Sequence, residues 1–177
     1  MKLVELGEVI QIYKGRKPLN LSESPDIDLL PYIDIETLKT GTASQFARPD
    51  KCVLANQGDV LIVWDGASCG LVGRSPAGLV GSTLARIWSQ DLTTNYLFYY
   101  LKDKFLLLNA RTKGSTIPHL DKQILLGQKI PLPFLDDQQK IVAPLVLLDA
   151  EGGASSVFRN SADSIKKQFS RKPLKAS

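Results

Sequence analysis

Apolar positions change their rhythm several times along this chain, and each change marks a boundary between kinds of element. From Val4 to Ile12 the apolar residues keep no settled period, and the segment closes at Gly15 and Pro18. Leu19 to Asp28 is polar and carries Pro25, which predicts a surface loop. Tyr32-Ile33-Asp34-Ile35 alternates, as a half-buried strand does, and is expected to end in a turn at Thr40-Gly41. Asn56-Gln57-Gly58-Asp59 separates Cys52-Val53-Leu54 from Val60-Leu61-Ile62-Val63-Trp64, predicting a hairpin with a loop longer than two residues. The second of these runs is apolar throughout and is expected to be buried on both faces. After the small-residue loop Gly66 to Gly73, Leu79-Val80 and Leu84 to Trp88 predict another strand pair.

A helical period then takes over. Thr93 or Thr94 can cap a helix from about Asn95 to Ala110, with Tyr96, Tyr99, Tyr100 and Leu107 at helical spacing. That aromatic stripe is read as core and not as a base-stacking platform. Pro131 and Pro133 hold the following chain extended, Asp136 or Asp137 can cap the next helix, and Pro144 is expected in its first turns. Ile141, Leu145 and Leu148, then Phe158, Ala162, Ile165 and Phe169, step by threes and fours as a coiled-coil seam does. The two halves fall out of phase across Gly152-Gly153, where two helical glycines cost roughly 2 kcal/mol relative to alanine. A continuous helix from Gln138 to Lys172 would be roughly 50 Å long and would need a second helix to bury its seam. Two shorter helices folded back on the core at Gly152-Gly153 are the alternative.

At 177 residues and 44% hydrophobic, the chain suits one well-buried domain plus an appendage. Its net charge of +4 is unevenly placed: Arg159 to Ser177 holds six basic residues against Asp163 alone, which leaves the preceding residues at −1. Any anion-binding face of the domain must therefore come from local clustering. Cys52 and Cys69 lack CxxC spacing, no leader-like stretch opens the chain, and no apolar run reaches the roughly twenty residues that span a bilayer. A reduced, cytoplasmic, soluble protein is the expectation.

Catalytic patterns are missing from this sequence. Gly66-x-x-x-Gly70-x-x-Gly73 matches neither nucleotide-binding glycine motif, and the segment after it reads as loop or strand. His119 is the single histidine, which excludes a two-histidine metal site and leaves any histidine-based triad resting on it. Asp59 and Asp65 flank a strand and would be the only visible Mg²⁺ candidates. Neither cofactor nor metal is expected. Materials for nucleic-acid binding are better represented: Lys14, Arg16 and Lys17 around Gly15; Arg74 leaving the glycine-rich loop; and Arg111 and Lys113 before Gly114-Ser115-Thr116. Such side chains reach phosphate or guanine edges, and hydroxyl groups reach either.

Several short motifs fall in one order: Leu6-Gly7-Glu8-Val9 with Tyr13-Lys14-Gly15-Arg16, Pro31-Tyr32-Ile33, Gly58-Asp59-Val60-Leu61-Ile62, Gly70 with Gly73, and Gly81-Ser82-Thr83-Leu84. They are followed by Gly114-Ser115-Thr116-Ile117-Pro118-His119-Leu120, Ile130-Pro131-Leu132-Pro133-Phe134 and Gln138-Gln139-Lys140-Ile141-Val142. This order resembles one target-recognition domain and its spacer helix in the specificity subunit of type I restriction–modification enzymes.

The resemblance implies a mixed α/β (α+β) domain of short strands and helices over residues 1–135, and a long coiled-coil spacer and dimerisation helix with a basic tail over 136–177. It implies sequence-specific double-stranded DNA binding without catalysis, in service of modification subunits and possibly a restriction subunit. Together with the loop chemistry it makes Lys14, Arg16, Lys17, Arg74, Ser82, Thr83, Arg111, Lys113, Ser115, Thr116 and His119 the candidate DNA contacts. Ile141, Leu145, Leu148, Phe158, Ala162, Ile165 and Phe169 become the candidate homodimer or partner seam. A full-length subunit of that family carries two such domains in tandem, and this chain carries one. A protein-interaction module without sequence-specific DNA binding is the rival reading.

Overall fold

β6 (Val60–Val63) is buried on both faces, and the layers of the domain follow from that. A strand with no polar position must be covered twice. Val60 and Ile62 point to one side, where they pack with Ala85 and Ile87 against Leu97, Tyr100 and Leu101 of α3 (Thr94–Asp103). Leu61 and Val63 point to the other side, against Ile33, Ala55, Val80 and Leu84. The computed structural model describes residues 2–114 and 116–151. It gives the expected mixed α+β class, with strands and short helices followed by a C-terminal helix.

The central sheet runs β2 (Gln11–Lys14), β9 (Leu84–Trp88), β6, β7 (Val72–Arg74), antiparallel throughout. A second sheet runs β4 (Phe46–Ala47), β3 (Leu30–Ile33), β8 (Gly78–Val80), β5 (Leu54–Ala55), with β3 and β8 parallel. β1 (Lys2–Glu5) pairs antiparallel with β10 (Lys129–Leu132), tying the first strand to the segment before the last helix. Short helices α1 (Leu6–Val9), α2 (Ile35–Thr40), α4 (Phe105–Ala110) and α5 (Lys122–Leu126) fill the connections.

Two strand pairings expected from sequence are corrected. The runs before and after Asn56-Gln57-Gly58-Asp59 do not form a hairpin with each other: β5 pairs with β8, and β6 with β7 and β9. β8 and β9 likewise lie in different sheets. Both errors share a cause, because consecutive strands here cross between layers where a hairpin reading keeps them in one sheet. The crossing between β8 and β9 is at Gly81, whose N–H donates to Ile33 O at 2.8 Å. Gly15 meets this point, and a Cβ on it would collide with the carbonyl oxygens of Gly81 and Val80. Only glycine permits that approach of backbones.

The turn expected at Thr40-Gly41 is the end of helix α2. Asp34 caps α2 by accepting from Thr37 N–H at 2.7 Å, and Gly41 closes it in the left-handed region at φ 77°. The helix expected from Asn95 to Ala110 is broken at Lys104, and Leu108 replaces Leu107 on the buried side of its second part. Tyr96, Tyr99 and Tyr100 are core, as their spacing predicts.

α6 (Leu135–Glu151) begins ahead of both candidate caps, leaving Asp136 and Asp137 in its first turn, where acids favour the helix dipole. Pro144 consequently stands in the helix interior, not in its first turns. Its ring removes the bond to the Lys140 carbonyl, on a face where both residues are exposed and water can replace it. Gln138 is fully buried: Thr93 N–H donates to its Oε1 at 2.7 Å, and its Nε2 donates to Asp91 O at 2.8 Å and Pro133 O at 3.1 Å. Farther along, Tyr99 Oη donates to Asp149 Oδ2 at 2.7 Å.

α6 therefore lies against α3 from its start. Leu145, expected in an open seam, is buried in the domain's own core, and Ile141 packs against that core. Leu148 is half exposed. Phe158, Ala162, Ile165, Phe169 and Gly152-Gly153 lie outside the described residues. We predict that Leu145→Ala lowers stability in urea denaturation by about 2–5 kcal/mol, while Leu148→Ala changes it by about 0.5 kcal/mol or less.

Candidate nucleic-acid interface

Three pieces of chain meet at one end of the central sheet: the exit of β2, the exit of β6 and the approach to β9. Gly15 N–H donates to Leu84 O at 2.9 Å and Arg16 N–H to Val80 O at 3.2 Å, fixing the path of Lys14 to Lys17. Trp64 N–H donates to Thr83 O at 2.8 Å, and Ser82 N–H to Tyr32 Oη at 3.2 Å. A fourth piece, the loop after α4, folds over this end. Lys113 and His119 exchange backbone hydrogen bonds of 2.7 and 2.8 Å, closing a tip of five residues between them. Gly114 turns that tip at φ 94°. Gly66 N–H to Pro118 O at 2.8 Å and Leu120 N–H to Trp64 O at 2.7 Å dock the loop on the exit of β6.

Asp65 is the hub of this end. Its Oδ2 receives the Lys14 ammonium at 2.8 Å, and its Oδ1 lies 2.7 Å from His119 Nδ1. Lys14 also donates to the Ser82 carbonyl. One carboxylate thus joins the end of β2, the end of β6 and the 113–119 loop. Partial burial acts to raise the Asp65 pKa, but the hydrogen bonds and charges of Lys14 and His119 outweigh it and hold the carboxyl below its ordinary value. With Asp65 ionised, Nδ1–H of His119 is the donor, which leaves Nε2 as the ring's second hydrogen-bonding atom.

Lys113 is tied to Asp121 at 3.1 Å, and Asn109 Nδ2 secures the 66–70 loop through Ala67 O and Cys69 O, each at 3.0 Å. Cys69 is fully buried, and its Sγ–H reaches Trp64 O at 3.1 Å and Pro118 O at 3.3 Å. Burial first, then the Asp65 charge, pushes its thiol pKa up.

The fold brings Lys14, Ser82, Thr83, Lys113, Thr116 and His119 to this end, with Arg16 and Lys17 continuing from it. Arg111 is exposed at the root of the loop, and Ser115 lies outside the described residues. Arg16, Lys17 and Arg111 form no ion pair among the described residues. Arg74 does not join them. In the ladder it stands opposite Val60, at the other end of β6, on an edge strand three places from β2, roughly 14 Å across at the usual strand spacing. Its guanidinium stacks 4.2 Å from the Phe98 ring centre, so it is occupied in packing the sheet on α3.

Asp59 and Asp65 sit at opposite ends of β6 and pair with Arg86 and with Lys14 and His119 respectively, so they cannot share a cation. Among the described residues no group of three His, Cys, Asp or Glu could hold a metal ion. No helix among them is long and apolar enough to cross a membrane. The sequence reading missed Asp65 as a hub. A carboxylate directly after a fully apolar strand was the available signal, since it must find cations where the buried strand ends.

The fold defines a class, an α+β domain of two four-stranded sheets and one two-stranded sheet, with loops gathered at one sheet end and a helix closing the described chain. Within it, the chain belongs to the type I restriction modification DNA specificity domain family, whose model matches residues 1–152. It is 36% identical over 143 residues to the type I restriction enzyme MjaVIII specificity subunit of Methanocaldococcus jannaschii, a match covering 79% of this chain and 34% of that protein.

Among solved structures it resembles a chain from work on complex assembly and conformational transition of the type I R-M system, with TM-score 0.70 and 26% identity over 94% of this chain and 42% of the other. It shares the fold of the HsdS subunit of Thermoanaerobacter tengcongensis, with TM-score 0.63 and 24% identity over 95% and 44% of the two chains. The chain spans between a third and a half of the length of these relatives.

Asp65→Asn tests the hub. A carboxyl whose folded pKa is depressed contributes stability that is complete above its unfolded value, near 3.8, and is lost as pH falls through the lower folded value. In urea titrations from about pH 5 down to about pH 2.5, the advantage of the unsubstituted protein over Asp65→Asn should shrink toward zero. An advantage that grew over that range would contradict the assignment.

Proposed function

We propose that this chain is a DNA-reading specificity module that recognises a short half-site through the loops at the Asp65 end of the central sheet. The observation that carries this reading is the convergence there of Lys14, Ser82, Thr83, Lys113, Thr116 and His119, in a chain of the DNA specificity domain family. Recognition loops need rigid support, and Asp65 supplies it by joining two strand ends to the loop. Arg16, Lys17 and Arg111 contribute phosphate contacts, while His119 and the hydroxyl residues face bases or phosphates.

In this reading residues 1–135 form the recognition domain, residues 136–177 the spacer and dimerisation helix, and the chain acts in the cytoplasm without catalysing a reaction itself. Modification subunits, and a restriction subunit where one is present, are the partners. The relatives are more than twice as long, so a second copy of this chain would complete a bipartite reader of an interrupted palindrome.

Selection from a randomised duplex pool, with and without a modification subunit, should enrich short motifs at fixed spacing. Arg111→Gln with Lys113→Gln should weaken binding to the selected duplex and flatten its salt dependence by about 0.9 in log–log slope for each phosphate that the pair neutralises. Unchanged affinity would remove that loop from the interface. Light scattering should show a dimer at tens of micromolar, and a monomer throughout would exclude the paired half-subunit.

A further inference from the structure

A cavity of about 780 Å³ opens beside the proposed interface, between residues 16–22 and 46–52. Its walls are fixed to each other: Ser22 and Phe46 exchange two backbone hydrogen bonds of 2.8 Å. Four cations line it, Arg16, Lys17, Arg48 and Lys51, against the single acid Asp50. That is a local excess in a chain whose residues before Arg159 are nearly neutral overall. Arg48 is only loosely held, 3.9 Å from Asp28, and Lys51 forms no ion pair among the described residues.

The position of Lys51 follows from its neighbours. Val80 N–H donates to Val53 O at 2.8 Å and Arg16 N–H donates to Val80 O at 3.2 Å, which brings the start of β5 close to Arg16. Lys51 lines the same cavity as Arg16 and Lys17, which continue from the Asp65 end. Its backbone is also unusual. At φ 54° it is the one described residue other than glycine in the left-handed region, in a turn closed by Cys52 N–H donating to Pro49 O at 3.2 Å. Glycine or asparagine suits such a position better, and strained backbone of this kind gathers at functional sites.

We infer that Lys51, across the cavity from Arg16 and Lys17, extends their phosphate-contacting row and carries the DNA interface onto the second sheet. The occupant is the sugar-phosphate backbone of the duplex flanking the bases read at the Asp65 end. This rests on the DNA-binding reading and adds to it a contact surface from the 48–52 turn. Charge complementarity selects the occupant, and the cavity is continuous with Lys14 to Lys17 along the chain.

Lys51→Gly separates this role from a structural one, because it removes the charge and relieves the backbone together. Binding of the full chain to a duplex recovered from the randomised pool would be measured against salt, beside the thermal midpoint, with Lys39→Gln on α2 as control. The expected result is weaker binding with a slope shallower by about 0.9, a thermal midpoint unchanged or higher, and no change in binding for Lys39→Gln. Unaltered affinity and slope in Lys51→Gly would overturn the inference and leave the Asp65-end interface standing. No duplex binding by the unsubstituted chain would overturn both.

Discussion

The double burial of β6 is the constraint that organises the whole domain. A strand of Val60, Leu61, Ile62 and Val63 has no face to offer water, so helices cover one side and a second sheet the other. The chain must then pass repeatedly between layers, and it does so at the strand ends. Gly15 and Gly81 permit the tightest of those passages. The loops that carry cations and hydroxyl groups are gathered at this end because the strands they connect terminate there. Asp65, the first carboxylate after the buried strand, draws Lys14 and His119 onto it and so turns a set of connections into one surface.

The same packing explains the start of the C-terminal helix. Gln138 satisfies its amide inside the domain through Thr93, Asp91 and Pro133, and Asp149 meets Tyr99 and Lys102. The described part of α6 is thereby held at a fixed angle to the sheet. Leu147 and Leu148 stay exposed on this anchored helix.

Much of this was legible in the sequence. The uniform apolar run at Val60 to Val63, the polar loop from Leu19 to Asp28 and the tyrosine stripe of α3 all behave as their spacing predicts, because each depends on local pattern alone. Strand partners were not legible: adjacency along the chain suggested hairpins for β5 with β6 and for β8 with β9, while the fold puts the members of each pair in different sheets. Leu145 looked like an open seam because a heptad step does not say whether the partner is another chain or the domain's own α3. At the site, residue type suggested Lys14, Arg16, Lys17, Lys113 and His119, and only the three-dimensional fold could separate Arg74 from them and put Lys51 on a cavity wall with Arg16 and Lys17.

Peptide-resolved hydrogen exchange of the full chain, alone and with a selected duplex, would decide whether the Asp65 end is the DNA-reading surface. New protection is expected at the backbone of Lys14 to Lys17, Ser82 to Thr83 and Lys113 to His119, with the edge of β7 around Arg74 unchanged. Protection centred on β7 or α6, with the Asp65 end unaltered, would place the reading surface elsewhere.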